Sequence, residues 1–220
     1  DMKFINQDKH LTRFFKEADL PLSDIGSDYG LFKKAQALGR KELKHYSKHR
    51  LGLVVDMTGW DYQRVDAPVN RLRALGYDCY VVMVHTSLET STKRNSARNR
   101  NVPDSYVATA HRGLWRNFPR YLRLFGKESA FIVRNEDART PEDCERDIGP
   151  SLRTAALKIL ARPLKNKNGI KWRNKQLAKK RTVPHVVEAA ANRLPFQNSL
   201  AFGNVHQSYT KRGKVALAAS

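Results

Sequence analysis

Two short stretches of this chain, LGLVV at 51–55 and CYVVMV at 79–84, are apolar at almost every position instead of at alternate ones. A strand of that kind must be covered on both of its faces. Antiparallel sheets with one wet face alternate apolar and polar residues, so an unbroken run points to a parallel sheet buried between helices. MKFIN at 2–6 and SAFIVRN at 129–135 read as two further short strands. Between the strands lie segments with helical periodicity. DYGLFKKAQALGRKELKHYSKH begins near Ser27 or Asp28 and stops before Gly52, and DYQRVDAPVNRLRALG has Asp61 as N-cap and Gly76 as its stop, with Pro68 tolerated only near its start or as a kink. LETSTKRNSARNR predicts a charged helix, and DSYVATAHRGLWRNFPRYLRLFG a longer one with Pro119 inside it. Strands and helices in alternation specify an α/β fold with a parallel sheet covered on both faces.

Charge divides the chain. Residues 148–220 hold fifteen Lys or Arg against one acid, Glu188, a surplus of +14 within the total of +20. The break falls near DIGPSL, where Gly149 and Pro150 punctuate the sequence. The expected organisation is therefore an α/β domain over 1–147 and a basic, mainly helical extension over 148–220. VVEAAANRL, at 186–194, reads as a short amphipathic helix within it, and the Ala-rich end reads as loosely ordered unless a partner holds it. No apolar run approaches the roughly 20 residues that cross a bilayer, which predicts no membrane partner; the expected location is the cytoplasm, with the virion as the alternative. Two cysteines, Cys79 and Cys144, are too few for a disulfide framework, and the histidines show no metal-ligand spacing, so no zinc site is expected.

In open parallel sheets, ligands bind beyond the carboxyl ends of the strands. Asp8 closes FINQD, Asp56 closes LVVD and His85 closes VVMVH, so a parallel arrangement sets all three on one rim. Carboxylates there suit the binding of a hydroxyl or of a water-shelled magnesium ion; the alternative for Asp56 is a plain turn cap over Thr58. Lys93, Arg94, Arg98 and Arg100 then crowd four cations into KRNSARNR, with Arg94 and Arg98 spaced to share a helical face. Arginine brings bidentate charge to phosphate oxygens. A solvated basic face is the competing reading.

Taken in order, FINQD, LGLVVDMTG, YDCYVVMVHTSLETSTKRNSARNRNVPDSYV, NFPRYLRLFG and FIVRN resemble the zeta-toxin-like P-loop kinases found in many bacteriophages. The likeness covers residues 2–135 and extends weakly to NKNGIKWRNKQL. It implies that Asp8 orients or deprotonates an acceptor hydroxyl and that Asp56, Thr58 and Gly59 wall the acceptor or magnesium side. It implies further that Arg94, Arg98 and Arg100 form a lid on the nucleotide phosphates, and that Asn135 lies near the base. ATP or GTP and Mg2+ are the implied cofactors, with Asp56 as the metal-side carboxylate and Arg98 as a lid cation assisting transfer. Trp60, so close to Asp56, is placed against the acceptor, although a rim or core aromatic is its other reading.

One departure stands out. The family's G-x-x-x-x-G-K-S/T loop, whose backbone amides cradle the phosphates, precedes the Asp8 strand, and no stretch of the 220 residues matches it. Because the chain opens on Asp1 and not on Met, the first strand and loop are expected upstream. The rival is a kinase-like body that no longer transfers phosphate and holds nucleic acid or an acidic surface through its basic third, where Lys171, Trp172, Arg173, Lys175, Lys179, Lys180 and Arg181 cluster. The leading function is a nucleotide-dependent kinase acting on a hydroxyl of a nucleotide sugar, small metabolite or nucleic-acid end.

Overall fold

The computed structural model describes residues 2–25, 28–100, 102–136, 141–181 and 214–219. Five parallel strands form one sheet in the order β1-β2-β5-β3-β4: β1 is Lys3–Asn6, β2 Leu53–Met57, β3 Asp78–His85, β4 Ala130–Arg134 and β5 Lys214–Ala219. Helices α1 (Gln7–Glu17) and α2 (Tyr29–Lys48) link β1 to β2, and α3 (Tyr62–Ala74) links β2 to β3. Helices α4 (Leu88–Ser96) and α5 (Asp104–Phe125) link β3 to β4, after which come α6 (Pro141–Ala161) and α7 (Lys167–Arg181).

The apolar run of β3 has the cause inferred from sequence. Cys79, Val81 and Met83 face one core with Val65, Val69 and Leu72 of α3 and Leu114, Tyr121 and Phe125 of α5. Tyr80 and Val82 face a second core with Val133, Ile148 and Ile159. A third cluster, Leu11, Phe14, Phe15, Ile25 and Ala35, joins α1 to α2. Burial pushes the Cys79 thiol up to about 12, with Asp78 adding to the rise and Arg73 opposing it, so this cysteine is an inert core residue.

Three expectations are corrected. Asp8 does not close the first strand: β1 ends at Asn6, whose side-chain oxygen accepts from the Asp8 and Lys9 amides and starts α1, so Asp8 belongs to a helical first turn. Arg94 and Arg98 do not share a helical face, because α4 ends at Ser96 and Ala97 is its C-cap. Asn95 causes that stop: its amide donates to the Val102 carbonyl at 2.7 Å and accepts from the Val102 N–H at 3.0 Å, folding the chain back. The third concerns the chain's end. Residues 214–219, expected to be loosely ordered unless a partner holds them, form the middle strand, and β2 and β3 each pair with them and not with each other. VALAA is a short apolar run of the kind that a central parallel strand requires.

The composition break at 147/148 falls within α6, which runs through Pro150 without interruption and buries Ile148, Ala155 and Ile159. The amphipathic segment 186–194 lies outside the described residues. Among the described residues no helix is long and apolar enough to cross a membrane.

Candidate functional site

Parallel pairing brings the strand ends to one rim. Asn6 is in register with Asp56, Asp56 with Ala218, and His85 with Arg134. The Asn6 amide donates to Asp56 Oδ2 at 2.7 Å while its oxygen caps α1. One asparagine thus ties the rim carboxylate to the helix that carries Asp8. Burial, then the negative charge of Asp8, pushes the Asp56 carboxyl above its ordinary range, partly opposed by a hydrogen bond from the Met57 N–H. Across the rim, Asp8 Oδ2 meets Arg100 Nη2 at 2.7 Å, with both side chains about a third to a half exposed. A raised carboxylate beside a second, charge-paired one is an arrangement common at sites that handle protons or cations.

The three arginines expected to form a lid separate in the fold. Arg94 donates to the carbonyls of Asn135 at 2.8 Å and Glu136 at 3.1 Å, so it fastens the end of β4 to α4. Arg100 is on Asp8. Arg98 is exposed and makes no ion pair among the described residues. Asn135 is held at the rim by its own N–H, which donates to the His85 carbonyl at 2.8 Å.

The DMTGWD segment is shaped by α5. Gly59 turns with φ +67°, a left-handed conformation that suits glycine, and its carbonyl accepts from the Tyr121 hydroxyl. Asn117 is buried and donates to the Trp60 carbonyl at 2.7 Å. Gly113 leaves room for Trp60: a Cβ there would stand 3.1 Å from the Trp60 Cβ. Asp61 then caps α3 by accepting from the Gln63 amide at 3.0 Å. Burial, with Asp61 and Tyr62 nearby, pushes the Tyr121 hydroxyl up to about 12, so it stays a donor at any physiological pH. Thr58 is exposed and Trp60 half-buried.

Sequence reasoning missed Asn6, Gly113, Asn117 and Tyr121. The signal for the last three was the spacing of four residues within one helix, which puts them on one face; what that face would meet was not readable.

The other end of the rim is built on His85. Its ring packs against Trp115 at 4.9 Å, and its Nδ1 lies 3.4 Å from the Glu136 carboxylate, an approach too poor for a hydrogen bond, which leaves Nδ1 without one. Partial burial acts to raise the Glu136 carboxyl, but hydrogen bonds from Ser87 and Thr90, with His85, together hold it below its usual value.

At the opposite end, where the strands begin, α7 docks. The Asp78 carboxylate accepts the Lys165 and Asn166 amides at 2.7 and 3.0 Å, and the Asn166 and Asn168 side chains cap the last carbonyls of α3. Trp172 is half-buried with the Arg50 guanidinium 5.7 Å above its ring. Lys171, Lys175 and Lys179 are exposed at steps of four residues, whereas Arg173 is half-buried; the side chains of Lys180 and Arg181 lie outside the described residues. The NKNG segment is therefore a docking motif for the base of the sheet.

No group of three or more His, Cys, Asp or Glu side chains suited to a metal occurs among the described residues. Magnesium needs less: it keeps most of its waters and takes one or two carboxylates beside substrate phosphates. Asp56, half-buried and adjacent to the negative charge of Asp8, fits that donor role.

No curated protein and no solved structure matches the chain. Residues 1–117, which carry Asp8, Asp56, Arg94, Arg98, Arg100 and the Gly113–Asn117 part of α5, match the family described as AAA domain. That stretch is more than half of the chain, which therefore belongs to the AAA domain family, a group of P-loop NTPase-like kinase proteins.

Proposed function

We propose that this chain is the acceptor-binding body of a nucleotide-dependent phosphotransferase of the zeta-toxin-like kind, acting on a hydroxyl group. The observation that carries the reading is the tether from Asn6 to Asp56, which fixes a raised carboxylate beside Asp8 on the rim of a domain of this family. ATP or GTP with Mg2+ would supply the phosphoryl group and counter its charge. Asp8 accepts the hydroxyl's hydrogen bond and takes its proton, Asp56 stands on the magnesium side through water, and Thr58, Gly59 and Trp60 wall the acceptor. Arg98 and Arg100 serve the nucleotide phosphates, and Asn135 the base. Arg100 has a double commitment, since phosphate oxygens compete with Asp8 for its guanidinium. Arg94, tied to two backbone carbonyls, sets the position of the Asn135 segment. A cytoplasmic setting accords with ATP as donor.

The test uses the intact protein with ATP and a panel of hydroxyl-bearing acceptors. Asp8→Asn is expected to lower turnover about 10² to 10⁴-fold with nucleotide affinity kept, the usual share of a positioned base. Failure of the intact protein to bind nucleotide overturns the reading.

A second reading draws on α7. Lys171 and Lys175 present exposed cations one helical turn apart, a fit for a phosphate backbone or an acidic protein surface, without any phosphoryl transfer. Trp172, covered by Arg50, then serves packing and not base stacking.

A further inference from the structure

The outer face of α5 carries a second line of cations that the rim does not use. Arg112, Arg116 and Arg120 recur every four residues, Arg123 extends the line, and all four are exposed. Four residues of helix rise about 6 Å, so the guanidinium groups stand in a row along the axis. Ser105 and Thr109, also exposed, continue the strip toward the start of the helix, and α5 contains no acid after Asp104.

Charge on this strip is not consumed by neighbours. Among the described residues no carboxylate lies within ion-pairing distance of Arg112, Arg116, Arg120 or Arg123. The nearby acids are otherwise engaged: Asp61 takes Arg64 at 3.3 Å and the Gln63 amide, and Asp66 takes the Tyr62 hydroxyl at 3.3 Å. Arg120 sits over the Tyr62 ring at 3.7 Å and its Nη1 donates to Asn117 Oδ1 at 3.4 Å, contacts that steady the guanidinium without neutralising its charge.

Position gives the strip its meaning. The residues next along the helix, Gly113, Asn117 and Tyr121, are those that hold the Gly59–Trp60 turn. The arginine row therefore borders the wall of the acceptor site and leads away from it down the side of the sheet. A small metabolite has no use for such a track, whereas a chain of regularly spaced monoanions does.

We propose that the α5 arginine row binds the phosphate backbone of a single-stranded nucleic acid and delivers its terminal hydroxyl to the rim, so that the acceptor is a polynucleotide end. The delivery step rests on the phosphotransferase reading; the binding step does not.

The experiment titrates the intact protein, without ATP, into a fluorescent single-stranded oligonucleotide at several salt concentrations. Loss of two phosphate contacts flattens the log–log salt slope by about 1.4, at about 0.7 each on single strands. Arg112→Ala/Arg116→Ala is expected to show that change and at least a tenfold weaker affinity at low salt, with an unaltered melting temperature because both side chains are exposed. Lys171→Ala/Lys175→Ala, at the base of the sheet, is expected to leave more of the affinity. An unchanged slope in the α5 variant overturns the proposal. So does competition by poly-aspartate as strong as that by unlabelled oligonucleotide, which would assign the row to an acidic protein partner. If the wild type transfers phosphate but the α5 slope is unchanged, the row fails and the function stands. If the slope changes while nucleotide never binds, the function fails and the row stands as a nucleic-acid surface.

Discussion

At the base of the sheet, the polar side chains that join α7 to α3 and β3 are spent on backbone groups, although the buried Nε of Arg173 has no hydrogen bond. Asp78 takes two amides, Asn166 and Asn168 close the end of α3, and the Tyr77 hydroxyl donates to the Leu51 carbonyl at 2.9 Å. At the rim the equivalent groups are left with capacity. Asp56 has its carboxyl raised, Asp8 pairs with an arginine that can leave, His85 Nδ1 has no hydrogen bond, and Arg98 faces water. The difference teaches how to tell a structural cluster from a chemical one. A polar group whose bonds all go to backbone stabilises the fold, whereas an incompletely compensated one is a cost that function explains.

The contrast can be broken most forcefully at the base. Gly76 has φ +101°, and a Cβ there would drive into the backbone of Gly169, 2.7 Å from its Cα. Gly76→Val adds backbone strain to an overpacked contact, about 3 to 5 kcal/mol together. Thermal unfolding should register a fall on the order of 10 °C. A variant as stable as the parent would show that α7 does not hold the base.

Asn6 tests the rim at a smaller scale. Asn6→Ala removes an N-cap, about 1 kcal/mol, and with it the partner of Asp56. Asn6→Ser restores the cap but cannot reach Asp56, so its melting temperature should return toward the parent while phosphoryl transfer stays impaired. Equal recovery of both would make Asn6 a cap and nothing more.

The smallest effect has the most informative sign. A carboxyl raised in the folded state gives stability that is fully present below its unfolded value, about 3.9, and is lost as pH rises through the folded value. At neutral pH Asp56 therefore costs stability, through burial first and Asp8 second. Asp56→Asn should melt slightly higher than the parent at pH 7, with the gap closing below about pH 4. It should also alter the magnesium dependence of turnover. A lower melting temperature across the whole range would mean that Asp56 is a structural cap like those at the base.

Apolar runs of four to eight residues, separated by helical periodicity, were enough to read β1 to β4 and a parallel sheet from sequence, because two-sided burial leaves an unbroken apolar pattern. The N-cap at Asp61, and a helix start near Ser27 or Asp28 that the structure assigns to Asp28 as cap, were legible for an equally local reason: Asp bonds an amide two or three residues ahead. Parallel strands end together, so Asp56 and His85 were correctly set on one rim. Long-range pairing decided the rest. Nothing local in KVALAA says that it fills the gap between β2 and β3, since strand order depends on partners more than a hundred residues away. Nor does KRNSARNR say that Arg94 grips two carbonyls while Arg100 crosses to Asp8, because the bend set by Asn95 aims the chain. The sequence alone determined which residues are strands, caps and cations, since these follow from neighbours along the chain. Only the tertiary structure decided which cations are spent on carbonyls and which are left for a ligand, because that depends on what packing brings within a few ångströms.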